Sequence, residues 1–250
     1  MKKFGLVIVT ALITGLLIGC SQDDETLTDN GSDSYVNAEL LVDTAWVAEH
    51  VEDDGVQFVD LRREGYEGGH IPGATHFSTS KITDSEAEYD GILVESEPFA
   101  QAMQELGIDQ DETVVIYDDG SSLSAARLFY ALEYYGHQNV KIYNGGFTAW
   151  LNAGEEVSTE APEIVTGDFV ATANQEKVCD LGTLQAYLDD ENIVILDTRS
   201  VEEFTGEEVR AERGGHVPNA IHIEWSEAIT EVDGVPTFKS AEELTALYEE

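Results

Sequence analysis

FVDLRREGYEGGHIPGATHF, Phe58 to Phe77, returns as ILDTRSVEEFTGEEVRAERGGHVPNAIHI, Ile195 to Ile223. In both copies Asp-x-Arg closes an apolar run, and Gly-Gly-His-(Ile/Val)-Pro follows. Asp60 and Asp197 stand 137 positions apart, whereas His70 and His216 stand 146 apart, so the second copy carries nine extra residues. The stretch FTGEEVRAE accounts for them and is polar, which predicts a surface loop. Self-similarity at so long a period predicts a duplicated domain, not a short stacked repeat.

Around the first copy, AWVAEHV offers a short helix and VQFVDL a buried strand ending at Asp60. EPFAQAMQELG reads as a helix stopped by Gly107, and TVVIY as a second buried strand. SSLSAARLFYALEYYG has Leu123, Ala126, Leu128, Phe129, Leu132 and Tyr135 on or near one helical face, with Gly136 as its stop. VKIY is a further strand, and GGFTAWLNAG a turn and short helix. Wholly apolar strands alternating with helices predict an α/β fold, a parallel sheet covered on both faces; an α+β arrangement is the alternative. A polar stretch, residues 155–168, reads as a linker. LGTLQAYL, NIVILD ending at Asp197, and SAEELTALYEE then repeat the short helix, the strand and the 97–105 helix.

The two ends differ from the middle. Residues 1–20 carry Lys2 and Lys3, an apolar run from Phe4 to Ile18 and the sequence Leu-Ile-Gly-Cys ending at Cys20, the layout of a secretory signal. That run is shorter than the roughly 20 residues a membrane-spanning helix needs. Residues 21–35, polar and acidic, read as a disordered tether. The chain's formal charge is −39, with 51 acidic residues spread over residues 23–250. Such a surface repels nucleic acid and anionic headgroups and suits a protein kept soluble by charge in high salt or high pH. With only Cys20 and Cys179 present, stability is expected from packed cores.

Asp60-x-Arg62 with GHIPGA, then VVIYDDG, AARLFYALEYYGHQNV and YNGGFTAW, resembles a rhodanese domain. The pair, over residues 36–250, resembles the tandem-domain sulfurtransferases acting on thiosulfate or 3-mercaptopyruvate, and the N-terminus is similar to a bacterial lipoprotein signal. The resemblance implies two doubly wound parallel-sheet domains, residues 36–154 and 169–250, the second incomplete. It implies an enzyme that passes sulfane sulfur through one cysteine persulfide to a thiol or cyanide, with no cofactor or metal. It also implies lipidation of Cys20, hence an extracytoplasmic protein anchored to the bacterial membrane. A thiolate nucleophile needs backbone N–H groups and a helix N-terminus around it, which a loop between a parallel strand and a helix provides.

In the first domain that loop is Asp118-Asp119-Gly120-Ser121-Ser122, and Asp118 stands where the cysteine would. Ser121 or Ser122 would need a base, for which His70 is the candidate. Repeat register places the second domain's loop at position 263 or 264, so the expectation is a chain cut within its second domain and inactive without that cysteine. A non-catalytic binding module at the cell envelope is the other reading. Arg62 and Arg199 are either anion contacts or internal partners of Asp60 and Asp197. Glu203 stands where some members carry a second substrate arginine, so Arg199, Arg210 and Arg213 are the candidate substrate residues. His70 and His216 are expected to be structural, Cys179 a buried small hydrophobe, and Trp46, Trp150 and Trp225 core or domain-contact residues.

Overall fold

The computed structural model describes residues 35–249. The leader of residues 1–20, its Cys20 and nearly all of the expected tether lie outside the described residues. The first repeat runs β1 (Leu41–Val42), α1 (Thr44–His50), β2 (Val56–Asp60), β3 (Thr75–His76), α2 (Ser96–Glu105), β4 (Thr113–Tyr117), α3 (Leu123–Tyr134), β5 (Val140–Tyr143) and α4 (Gly146–Ala153). Its five strands form one parallel sheet in the order β1-β5-β4-β2-β3. Strand periodicity sorts the core onto both faces. Along β4, Val114 and Ile116 pack with Phe99, Met103, Leu128 and Leu132 from α2 and α3. Val115 and Tyr117 pack with Val47, Phe147 and Trp150 from α1 and α4. The expected parallel sheet with helices on both sides is what forms.

The second repeat contains α5 (Leu181–Tyr187), β6 (Leu196–Asp197), α6 (Val201–Thr205), β7 (Ile221–His222), an antiparallel hairpin of β8 (Ile229–Val232) and β9 (Val235–Phe238), and α7 (Ala241–Glu249). NIVILD was expected as a buried strand, but only Leu196 and Asp197 are extended in a ladder, and Val194 is 73% exposed. The reason is pairing: β2 has neighbours on both sides, while β6 pairs with β7 alone. The hairpin was not anticipated. It occupies the position of residues 83–94 in the first repeat, where a single bridge joins Thr83 to Leu93.

Three further expectations change. Leu123 and Ala126 are exposed, and α3 buries Ala125, Leu128, Ala131 and Leu132 instead. Phe169, placed at the start of the second domain, is fully buried in the first repeat's core, with Ala171 and Ala173 packed against the same cluster. Trp225 is 40% exposed, whereas Trp150 is core. No helix among the described residues is long and apolar enough to cross a membrane.

Candidate active site

The duplicated phrase builds the same knot twice. After β2 the chain turns so that Arg62 forks onto Asp60, with Nε 3.0 Å from Oδ2 and Nη2 2.6 Å from Oδ2, and Nη2 also donates to the Gly69 carbonyl at 2.7 Å. After β6, Arg199 grips Asp197 at 2.9 and 2.5 Å and the Gly215 carbonyl at 3.0 Å. Tyr66 lies between His70 and His76, with ring centroids 3.9 and 5.1 Å away. Phe204 lies between His216 and His222, at 3.7 and 4.7 Å. Nε2 of His76 donates to the Arg62 carbonyl at 2.8 Å, and Nε2 of His222 to the Arg199 carbonyl at 2.8 Å. Nδ1 of each loop histidine donates to the carbonyl of the aromatic residue it stacks on, Tyr66 or Phe204.

His70 and His216 are therefore structural, as expected, and His76 and His222 share that role. His70 cannot act as a base for Ser121 or Ser122, because its ring is fully buried with Nε2 facing the Glu160 carbonyl at 3.2 Å. Arg62 and Arg199 take the internal-partner role. The fork holds Asp197 below its ordinary range and raises Arg199, each mainly through their mutual hydrogen bond. Phe204 belongs to the knot, so only part of FTGEEVRAE is the inserted loop. Tyr66, Phe204, His76 and His222 were overlooked, although the sequence carried a signal: a second histidine follows the first by six positions in both copies.

Above the first sheet, the loop after β4 closes around the Asp118 carboxylate, which is 4% exposed. Oδ1 accepts the N–H groups of Gly120 and Ser122 at 2.9 Å each, and Oδ2 accepts those of Ser124 and Ala125 at 3.0 and 3.2 Å. Two of these donors belong to the first turn of α3, where backbone N–H groups lack helical partners and favour negative charge. Gly120 at φ 123° and Ser122 at φ 60° bend the loop into this cradle. The Gly145-Gly146 pair clamps it. A Cβ on Gly146 would lie 2.5 Å from the Asp118 carbonyl, and that carbonyl accepts the Phe147 N–H at 2.9 Å. The Phe147 ring then lies 3.6 Å below the Arg62 guanidinium. Three separate sequence phrases thus converge at the carboxyl ends of β2, β4 and β5.

Beneath the cradle, burial and the Asp60 carboxylate push the Tyr117 hydroxyl well above its ordinary value. The second repeat's hairpin covers the cradle from outside. Asn144 Oδ1 accepts the Phe238 N–H at 2.9 Å, and the Pro236 carbonyl lies 3.2 Å from where a Gly120 Cβ would be.

A strand-end loop thus presents four convergent N–H donors to one buried carboxylate in a duplicated parallel α/β domain. The rhodanese-like domain profile matches residues 43–153 and 180–249. The chain belongs to the rhodanese family. It is 37% identical over 238 residues to the sulfur carrier protein TtuD of Thermus thermophilus, covering 86% of this chain and 79% of that protein. It is 30% identical over 222 residues to the 3-mercaptopyruvate sulfurtransferase of Escherichia coli, covering 83% of this chain and 78% of the other. The crystal structure of SseA from Escherichia coli, at 30% identity, superposes with a TM-score of 0.76 over 84% of this chain and 82% of its own.

In this rhodanese the first cradle holds a carboxylate, which saturates the donors and cannot carry sulfur. Cys179 is exposed, not buried as expected, and its Sγ sits 3.7 Å from the Asp180 carbonyl, ahead of α5 and outside any such cradle. Of the candidate arginines, Arg199 and Arg213 line one cleft of about 900 Å³ with His216 and Gly214-Gly215. Arg210 does not join them, because its Nε faces Glu203 at 3.3 Å and Glu208 at 2.9 Å. Glu203, standing where an arginine was sought, thus draws the neighbouring arginine to itself.

Proposed function

We propose that this rhodanese chain serves sulfane-sulfur transfer from a small anion, thiosulfate or 3-mercaptopyruvate, to a thiol or cyanide. The observation that carries this reading is the Asp118 cradle, four backbone donors arranged around one anionic atom group at a strand-to-helix loop. In the reaction a cysteine thiolate attacks the donor's sulfane sulfur, a persulfide S–S bond forms, and the donor leaves with the electron pair of its broken bond to sulfur. The acceptor then attacks the outer sulfur and the thiolate is released. By repeat register the cysteine belongs at position 263 or 264, in the second repeat's equivalent loop. With Arg199 held by Asp197 and the Gly215 carbonyl, Arg213 on the same cleft is the arginine that takes the donor anion, through charge-assisted hydrogen bonds.

The test is thiosulfate:cyanide and mercaptopyruvate turnover by residues 1–250 beside a chain extended through that loop. Activity only in the longer chain, lost on replacing its loop cysteine by serine, supports the reading; equal turnover by both contradicts it. The carboxylate in the first cradle supports a second reading, a non-catalytic module binding a partner at the cell envelope, which inactivity of both chains would favour. Localisation is part of the proposal: Leu-Ile-Gly-Cys at 17–20 supports lipidation of Cys20 and an extracytoplasmic, membrane-anchored protein, since two acyl chains give stable anchoring. Cys20→Ser should then move the protein from the membrane to the soluble fraction.

A further inference from the structure

We propose that His137 is the pH-sensitive pin of a strap, residues 167–174, through which the chain passes from the first repeat to the second. The strap is stitched to the first repeat along its length. Gly167 and Phe169 donate to the Gln104 and Ile108 carbonyls at 2.9 and 3.2 Å, and Thr172 and Asn174 donate to those of Tyr135 and Tyr134 at 2.9 and 2.8 Å. Gln104 Nε2 returns a bond to the Phe169 carbonyl at 2.8 Å. Phe169 is fully buried and rests on two rings, Phe99 with centroids 5.9 Å apart and His137 at 5.7 Å.

His137 is 1% exposed, and its Nδ1 is a buried polar atom with no hydrogen-bond partner among the described residues. Nε2 donates to the Asp109 carbonyl at 3.2 Å. The neutral ring tolerates this site because an unpartnered Nδ1 lone pair costs less than a buried N–H cation would. The charged groups around it are carboxylates of the loop after α2 and of the strap. Asp111 favours the protonated ring, while Asp109 and Asp168 are tied to each other's loops, the Asp109 carboxylate by the Asp168 N–H and the Asp168 carboxylate by the Gln110 N–H, each at 2.9 Å. Glu112 takes the Asp109 N–H at 2.8 Å. Behind Phe169, Phe99 stacks on Tyr135, whose hydroxyl is pushed up to about 12 and stays neutral. Burial outweighs both the hydrogen bond to the Asp109 carbonyl and the charge of Asp111, and lowers the His137 pKa.

The sign follows from linkage. With the strap open, the ring regains its ordinary value near 6.5 and takes up a proton first, so closure is complete above that pH and weakens as pH falls below it. Hydrogen exchange of the full chain between pH 8 and 5.5, corrected for intrinsic rates, reads this directly at the Gly167, Phe169, Thr172 and Asn174 amides. Protection should hold from pH 8 to 6.5 and then fall by up to about tenfold per pH unit. In His137→Phe, which keeps an aromatic surface without a titrating group, the strap amides should lose that dependence. Equal loss of protection in His137→Phe, or none in the wild type, overturns the proposal. If His137→Phe does not fold, the wild-type His137 ring resonances decide: titration at or above 6.5 overturns the proposal and titration below supports it.

Discussion

A carboxylate at position 118 satisfies four backbone donors that would otherwise be buried without partners. Asp118→Ala should therefore lower unfolding stability by about 3 kcal/mol or more, and Asp118→Asn by about 2, since its amide turns N–H groups toward two of the donors. Urea midpoints check both. The two Asp–Arg forks give a paired prediction. Arg62 has 11% of its side chain exposed and lies against Phe147, whereas Arg199 is 44% exposed. Arg62→Lys should cost about 2 kcal/mol and Arg199→Lys less than about 1, because a lysine loses the planar fork and only the buried site depends on it. At this scale Asp118 could be read from sequence, because an aspartate directly after TVVIY has one loop to occupy. The partner of the Asp60–Arg62 pair could also be read. What could not be read was which ring the histidines stack on, since Tyr66 and Phe204 sit at different offsets from them.

Elements carry the cradle through glycines. Gly145 and Gly146 have φ of 93° and 53°, and a Cβ on Gly146 would meet the Asp118 carbonyl and the Gly120 nitrogen at 2.5 and 2.7 Å. Both contacts are with backbone and cannot yield by a rotamer change. Gly146→Ala should destabilise the protein by more than about 2 kcal/mol, with hydrogen-exchange protection lost first at Phe147 and Gly120. The strands and helices of the first repeat followed from apolar runs, caps and glycine stops. The phase of α3 did not, because Leu123 sits in the first turn beside the left-handed Ser122 and points outward, so the buried stripe begins at Ala125. The hairpin of β8 and β9 was hidden for another reason: Asp233-Gly234 marks a tight turn, but the flanking stretches are short and half polar, and their burial comes from the first repeat.

Over the whole molecule, a formal charge of −39 sets the background. Like charges repel most in the compact state, and salt screens exposed charges over about 10 Å at 0.1 M. The unfolding temperature should rise from low to molar sodium chloride; a flat response would mean the acidic surface does not limit stability. The tandem layout was legible from the repeated phrase, while the docking of the second repeat's hairpin over the first repeat's loop was not, because it is a contact between distant segments. Under the proposed function, the first cradle has the form of a sulfur-carrying loop and is closed by the Asp118 carboxylate. Incubating residues 1–250 and their Asp118→Cys variant with thiosulfate or 3-mercaptopyruvate, then weighing the intact proteins, decides this. The wild type should stay unmodified, while Asp118→Cys should gain one sulfur atom at residue 118 that cyanide removes. Cyanide-releasable sulfur on the wild type, or a folded Asp118→Cys that takes up none, would contradict it.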